Sequence, residues 1–267
     1  MKPTMLCLDF DGTIMRYENP PEHIHPGVAA ALNDLGDAGI EWIANSGRTL
    51  EEQIEILRHT ARAYELRRWP SAILHGECFI HLADNGRYLP LDDWNTRAEA
   101  DMGAVQRALK DGCRAELDLI VDAYAPAQAR FLDMATVFQI GGGEARQNAF
   151  IADLVALLVR VPEAQLIQNG EWISIIHGNV GKGHLLRAYM AYRQFPPHLV
   201  AAMGDHANDI SMLDGSVTPH VACPGSAYGP TQAAVRAAGG YVARAEGPEG
   251  TLEALRHYFA DILGRSP

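Results

Sequence analysis

At 267 residues with 48% apolar side chains, the chain is long enough for one large domain or two modest ones and can fill a packed core. A formal net charge of −11, without clustered Lys and Arg, argues against a phosphate-backbone binder, so nucleic acid is excluded as an expected partner. Four scattered cysteines, Cys7, Cys78, Cys113 and Cys223, make no C-x-x-C pair and are expected to be reduced thiols. No apolar run approaches the roughly 20 residues that span a bilayer, and motif residues begin by Asp9 with no room for a signal peptide. A cytoplasmic protein with no membrane partner is expected.

The first eighty residues alternate as β-α-β units: strand Met5 to Leu8, helix Val28 to Asp37, strand Ile40 to Ala44, helix Leu50 to Arg62, strand Ala72 to Leu74. Such alternation predicts a parallel sheet covered on both faces. Thr49 and Glu52 fit a capping box at the second helix. After Phe79 the rhythm changes. Asp84-Asn85-Gly86 predicts a hairpin within 79–94, and Asn169-Gly170 predicts another between 165–167 and 172–176. Between them lie helical stretches near Thr96 to Lys110 and Gln147 to Val159, with strand candidates at Leu117 to Val121 and Ala135 to Ile140. From Lys182 the β-α-β order returns: helix His184 to Tyr192, strands Leu199 to Met203, Val221 to Cys223 and Tyr241 to Ala243, then helix Leu252 to Leu263. The expected architecture is a Rossmann-like, doubly wound α/β core of residues 1–81 and 179–267, interrupted by an α+β module over 82–178.

Four clusters fall where strands are expected to end. In Leu8-Asp9-Phe10-Asp11-Gly12-Thr13, residues i and i+2 of an extended strand share a side, so Asp9 and Asp11 can aim at one small volume. Two anions held that close suit a divalent cation with hard oxygen ligands, with one carboxylate left to attack an electrophile. Ser46 and the amide of Gly47, at the end of the second strand, can bind an anionic oxygen, although Ser46 equally suits a helix cap. Lys182, in a glycine-containing loop, either meets a phosphate beside the acids or stays solvated. Ile176 and Gly183 break the P-loop pattern around it, and Arg146 breaks the dinucleotide pattern after Gly141-Gly142-Gly143. Gly204-Asp205-His206-Ala207-Asn208-Asp209 adds two acids and an amide, as cation and phosphate partners or as helix caps.

Together the four clusters resemble the motifs of the haloacid dehalogenase superfamily, in the same order along the chain: D-x-D-G-T at Asp9 to Thr13, a strand-terminal Ser or Thr at Ser46, a basic residue at Lys182, and G-D-x-x-N-D at Gly204 to Asp209. The long insert is similar to the C2B cap of the Cof-type subfamily, IIB, whose members include sugar phosphatases. His75-Gly76-Glu77 stands where Cof-type proteins usually carry Asn-Gly-Ala, and Pro224-Gly225-Ser226-Ala227 replaces the usual Gly-Asn-Ala.

The resemblance implies an Mg²⁺-dependent phosphatase acting on a small phosphorylated metabolite, as a monomer or homodimer. Asp9 would be the nucleophile and Asp11 the acid and base. Asp9, Asp11 (through its backbone carbonyl), Asp205 and Asp209 would form the metal site, and Ser46, Gly47, Lys182 and Asn208 would bind phosphate. Arg48 and His75 are the candidate substrate contacts. The cap would close over the site, and its excess of acids over bases across 82–178 favours a neutral leaving group such as a sugar. A phosphomannomutase-like phosphotransferase and a non-catalytic phosphate-binding module are the alternatives.

Overall fold

The computed structural model describes residues 2–16, 21–131 and 135–264. Its elements begin with β1 (Met5–Leu8), α1 (Pro26–Asp37), β2 (Glu41–Ser46), α2 (Leu50–Tyr64), β3 (Ala72–His75), β4 (Phe79–Asp84) and β5 (Arg87–Pro90). There follow α3 (Asp92–Gly112), α4 (Arg114–Ala123), β6 (Gln128–Phe131), β7 (Thr136–Gln139), α5 (Glu144–Leu158), β8 (Ala164–Asn169) and β9 (Trp172–His177). The last stretch holds α6 (Lys182–Arg193), β10 (Val200–Met203), α7 (Ile210–Leu213), β11 (His220–Cys223), α8 (Gly229–Ala237), β12 (Tyr241–Val242), α9 (Gly247–Tyr258) and α10 (Ala260–Leu263). Two compact units result: Met1–Trp94 with Lys182–Pro267, and Asn95–Gly181.

The larger unit is organised by β1, whose four apolar residues are all buried. Leu6 and Leu8 join a core formed with α1, α2 and α9, while Met5 and Cys7 join a second core formed with α6, α7 and α8. Helices thus cover both faces, as unbroken apolar strands require. The sheet order is β12-β11-β10-β1-β2-β3-β4-β5. It is parallel from β12 to β3 and antiparallel at β3-β4-β5. The α/β class and the mainly parallel sheet agree with the sequence. The hairpin expected within 79–94 is β4–β5, and it extends this sheet because Ala72 to His75 pair with Leu82 to Phe79. Its turn residues, Asn85 and Gly86, both take positive φ (46° and 79°), as a type I′ turn demands. The Thr49–Glu52 capping box is formed.

In the smaller unit, β6-β7-β9-β8 make an antiparallel sheet. Phe138, Ile173 and Ile175 of that sheet pack on Val105, Leu109, Leu117, Phe150 and Leu154 of α3, α4 and α5. The Leu117 to Val121 strand candidate is helical. Leu117, Ile120 and Val121, spaced i, i+3, i+4, meet the core while Leu119 between them is 68% exposed, which is a helical period. The second hairpin turns at Gly170-Glu171, one residue later than expected, with Gly170 taking φ 57° as the first central residue and Asn169 pairing with Trp172. The final helix is broken at Phe259 into α9 and α10. Among the described residues, no helix is long and apolar enough to cross a membrane.

Candidate active site

Parallel pairing sets the site. Leu8 is in register with Ala44 of β2 and Met203 of β10, so the residues that follow these strands emerge along one sheet edge. Asp9 is tied there by its own N–H, which donates to the Met203 carbonyl at 3.0 Å. The pleat does not continue to Asp11, because β1 ends at Leu8 and the chain curls: Ile14 and Met15 N–H both donate to the Phe10 carbonyl at 3.0 Å. Gly12 makes this curl with φ 70°, and a Cβ there would lie 2.2 Å from Asp205 Oδ2. Only glycine lets the Asp205 carboxylate approach this backbone so closely.

Lys182, 1% exposed at the start of α6, is enclosed by acids rather than solvated. Its Nζ donates to Asp9 Oδ1 and to Asp209 Oδ1, each at 2.6 Å. The other oxygen of Asp209 accepts from the Asp205 and His206 N–H groups, both at 2.9 Å, so that both of its oxygens are engaged. Asp9 Oδ2 and Asp205 Oδ1 face the Thr13 hydroxyl at 3.5 and 3.4 Å. Carboxylate oxygens of Asp9, Asp205 and Asp209 lie within 4.8 Å of one another. Burial raises the Asp9 carboxyl well above the usual range, opposed by Lys182. Burial, reinforced by Asp209, pushes Asp205 up to about 7.

Three carboxylates, those of Asp9 and Asp209 buried and that of Asp205 half-buried, against one ammonium leave an excess of negative charge, and the donors that remain open, on Asp9 and Asp205, are hard oxygens. That set fits a divalent cation of the Mg²⁺ type, with Asp209 holding Asp205 and Lys182 in place behind it.

The carboxylate of Asp11 lies outside this trio. Its two oxygens accept from Arg48 Nε and Nη2, each at 2.7 Å. Arg48 also grips Glu22 through Nη1 at 2.6 Å and Nη2 at 2.8 Å, so the guanidinium that the sequence offers as a substrate contact is engaged by two carboxylates. Ser46, 2% exposed, accepts the Arg48 N–H at its Oγ at 3.3 Å, and Gly47 beside it is exposed. His75 ends β3 with its Nε2 3.1 Å from His81 Nδ1, and burial lowers its pKa to about 4. Asn208 Nδ2 donates to Glu77 Oε1 at 2.9 Å. Burial raises the Glu77 carboxyl, opposed by the Lys182 charge and the Asn208 bond. Glu22 and Glu77 are partners that motif reasoning did not assign. Glu22 lies in a loop without periodicity, and Glu77 is marked only by its place just beyond a strand end, in the His75-Gly76-Glu77 stretch that departs from the Cof-type Asn-Gly-Ala.

The haloacid dehalogenase-like hydrolase family model matches residues 150–219, a span that includes Lys182 and Gly204 to Asp209. Solved structures of similar fold extend the likeness over the whole chain. A sucrose-phosphatase from Synechocystis sp. PCC6803, solved with sucrose and phosphate, is 15% identical with a TM-score of 0.70, covering 97% of this chain and 98% of that one. A haloacid dehalogenase-like hydrolase from Bacteroides thetaiotaomicron is 16% identical with a TM-score of 0.64, covering 97% of this chain and 100% of that one. A haloacid dehalogenase-like hydrolase from Bacillus subtilis is 13% identical with a TM-score of 0.58, covering 99% of this chain and 94% of that one. Comparison with curated protein sequences gives no match. The haloacid dehalogenase-like fold inferred from the four motifs is thus borne out, and the family model agrees with the motif reading over residues 150–219.

Proposed function

We propose that this hydrolase cleaves small phosphomonoesters, with sugar phosphates as the substrate class, through an aspartyl-phosphate formed on Asp9. The observation that carries the reading is the state of Asp9: a buried carboxylate with Oδ1 held by Lys182 and Oδ2 turned toward Thr13 and Asp205. Fixing one oxygen leaves the other as the attacking atom, in a site where positioning and electrostatics carry the reaction. Attack of Oδ2 on phosphorus breaks the bond to the leaving oxygen, which takes a proton from Asp11. Asp11 then accepts a proton from the water that opens the aspartyl phosphate, restoring Asp9 and releasing phosphate. Because Arg48 occupies both Asp11 oxygens, one of these contacts opens for each proton transfer.

Lys182, Asn208, the Ser46 hydroxyl and the Gly47 amide are assigned to the transferring oxygens. Asp9 and Asp205, backed by Asp209, would hold Mg²⁺. When bound there it supplies positive charge that offsets the charge on the phosphoryl group. The Asp11 backbone carbonyl completes this assignment. A neutral sugar as leaving group is supported by the acidic excess of residues 82–178 and by the similarity in fold to a sucrose-phosphatase. Selection of that group is assigned to the unit Asn95–Gly181.

The test is phosphate release from a panel of sugar phosphates, phosphoglycolate, nucleotides and pyridoxal phosphate, with and without Mg²⁺. Mg²⁺-dependent release, highest with sugar phosphates, is expected. Formation of isomeric sugar phosphates in place of free phosphate would identify a phosphotransferase, and inertness across the panel would sink the enzymatic reading.

A further inference from the structure

We propose that Glu77 is a positioning residue that fixes which end of the Asn208 amide meets the transferred phosphoryl group, a role that rests on the phosphatase reading above. Glu77 has φ 61°, in the left-handed region that a side-chain-bearing residue adopts only under constraint. It follows Gly76, whose φ of 58° belongs to the same reversal after β3. The reversal turns the Glu77 carboxylate inward: the residue is 8% exposed, and Oε1 meets Asn208 Nδ2 at 2.9 Å. The same oxygen lies 3.4 Å from where a Cβ on Gly47 would stand, so it sits against the turn assigned to anion binding. Strain and a buried charge are thus both concentrated at one side chain, which touches the loop after β10.

A carboxylate accepts hydrogen bonds and cannot donate them, whereas an amide has a donating end and an accepting end. Facing Glu77, Asn208 is stable in one orientation, with Nδ2 toward the carboxylate. One N–H is used by Glu77, and the second remains for an anionic oxygen. Asn208 Oδ1 is buried and has no hydrogen-bond partner among the described residues. If the amide turned over, that oxygen would confront the phosphoryl group and repel it. Glu77 prevents the turn.

The experiment measures inorganic phosphate binding by calorimetry on the full chain with Mg²⁺, alongside steady-state kinetics. Glu77→Gln offers a donor or an acceptor at the same place, so both amide orientations become available. Its phosphate Kd and its KM are expected to rise at least fivefold, with kcat within threefold of wild type. Glu77→Gly adopts φ 61° without strain and is expected to weaken phosphate to the same degree while its Tm stays at or above that of wild type. A side chain that merely props the loop gives the opposite pattern, a lower Tm with unchanged phosphate binding. A rise in Kd below fivefold in Glu77→Gln, or in Glu77→Gly should the former not fold, overturns the proposal. Wild-type protein that hydrolyses the panel while these variants bind phosphate normally removes only this inference. Wild-type protein that neither hydrolyses the panel nor binds phosphate removes the phosphatase reading itself.

Discussion

Arg48 meets Asp11 as a fork meets a plate: Nε and Nη2 donate to separate carboxylate oxygens, each at 2.7 Å, and the same guanidinium spans to Glu22. All three side chains are less than a third exposed. Lysine cannot reproduce two parallel bonds to one carboxylate and a second pair to another. Arg48→Lys is therefore expected to lose about 1–3 kcal/mol of stability, the range for breaking a partly buried charged network. The proton-transfer steps should slow because Asp11 loses its fixed orientation. Urea denaturation reads the first effect and single-turnover kinetics the second. Unchanged values in both would show the clamp to be passive.

Removing the proposed nucleophile separates chemistry from binding. Asp9→Asn keeps the shape of the side chain and one acceptor for Lys182 while abolishing the anionic attacking oxygen. Turnover should fall by several orders of magnitude, the scale seen when a nucleophile is deleted, with the far-ultraviolet circular dichroism unchanged. Near wild-type turnover in the purified variant would refute the assignment of Asp9.

Lys182→Met tests the opposite charge. It leaves Asp9 and Asp209 buried without their shared cation at 2.6 Å from each. Loss of one partner from a buried ion network costs about 3–5 kcal/mol. Thermal unfolding should show a large drop in Tm, and millimolar Mg²⁺ should restore more of it in the variant than in wild type, because added positive charge relieves the uncovered acids. Equal Mg²⁺ responses in the two proteins would contradict a cation site at this cluster.

His75 provides a pH test. Its folded pKa of about 4 lies below the ordinary 6.5 because burial and the neighbouring His81 disfavour the charged ring. Between these values the unfolded chain binds a proton that the folded chain does not, so this residue's contribution is complete above about 6.5 and is lost as pH falls toward about 4. The raised carboxyls of Asp9 and Asp205 act in the opposite sense, so the readout is the difference between wild type and His75→Gln. On going from pH 7 to pH 5, wild type should lose about 2 kcal/mol more than the variant in urea denaturation. A parallel pH dependence in the two proteins would show that His75 is not held neutral.

How much of this was legible in the amino-acid order depends on the physics of each element. Met5 to Leu8 is apolar on both faces because helices cover both, and such runs announce central strands directly. The acids of Asp9, Asp205 and Asp209 follow strands that pair side by side, so their meeting could be inferred from where those strands end. The link from Asp9 to Asp11 could not, because the i, i+2 rule requires a strand and β1 stops at Leu8, before either acid. Leu117 to Val121 misled because a five-residue apolar run has no resolvable period; the exposure of Leu119 separates helix from strand only in three dimensions. Glu77 was hidden for a different reason. Nothing in the letter E signals a left-handed φ, which is imposed by the turn after β3.

The central place of β1 has a consequence for biogenesis. One of its edges is filled early by β2, but the other waits for β10, made only after the whole Asn95–Gly181 unit has been synthesised. A nascent chain shorter than residue 203 therefore carries Asp9 at the end of an open strand, an edge that invites pairing with a neighbouring polypeptide. Ribosome-stalled chains should stay protease-sensitive and aggregation-prone until β10 clears the exit tunnel, and become resistant in a single step once it does.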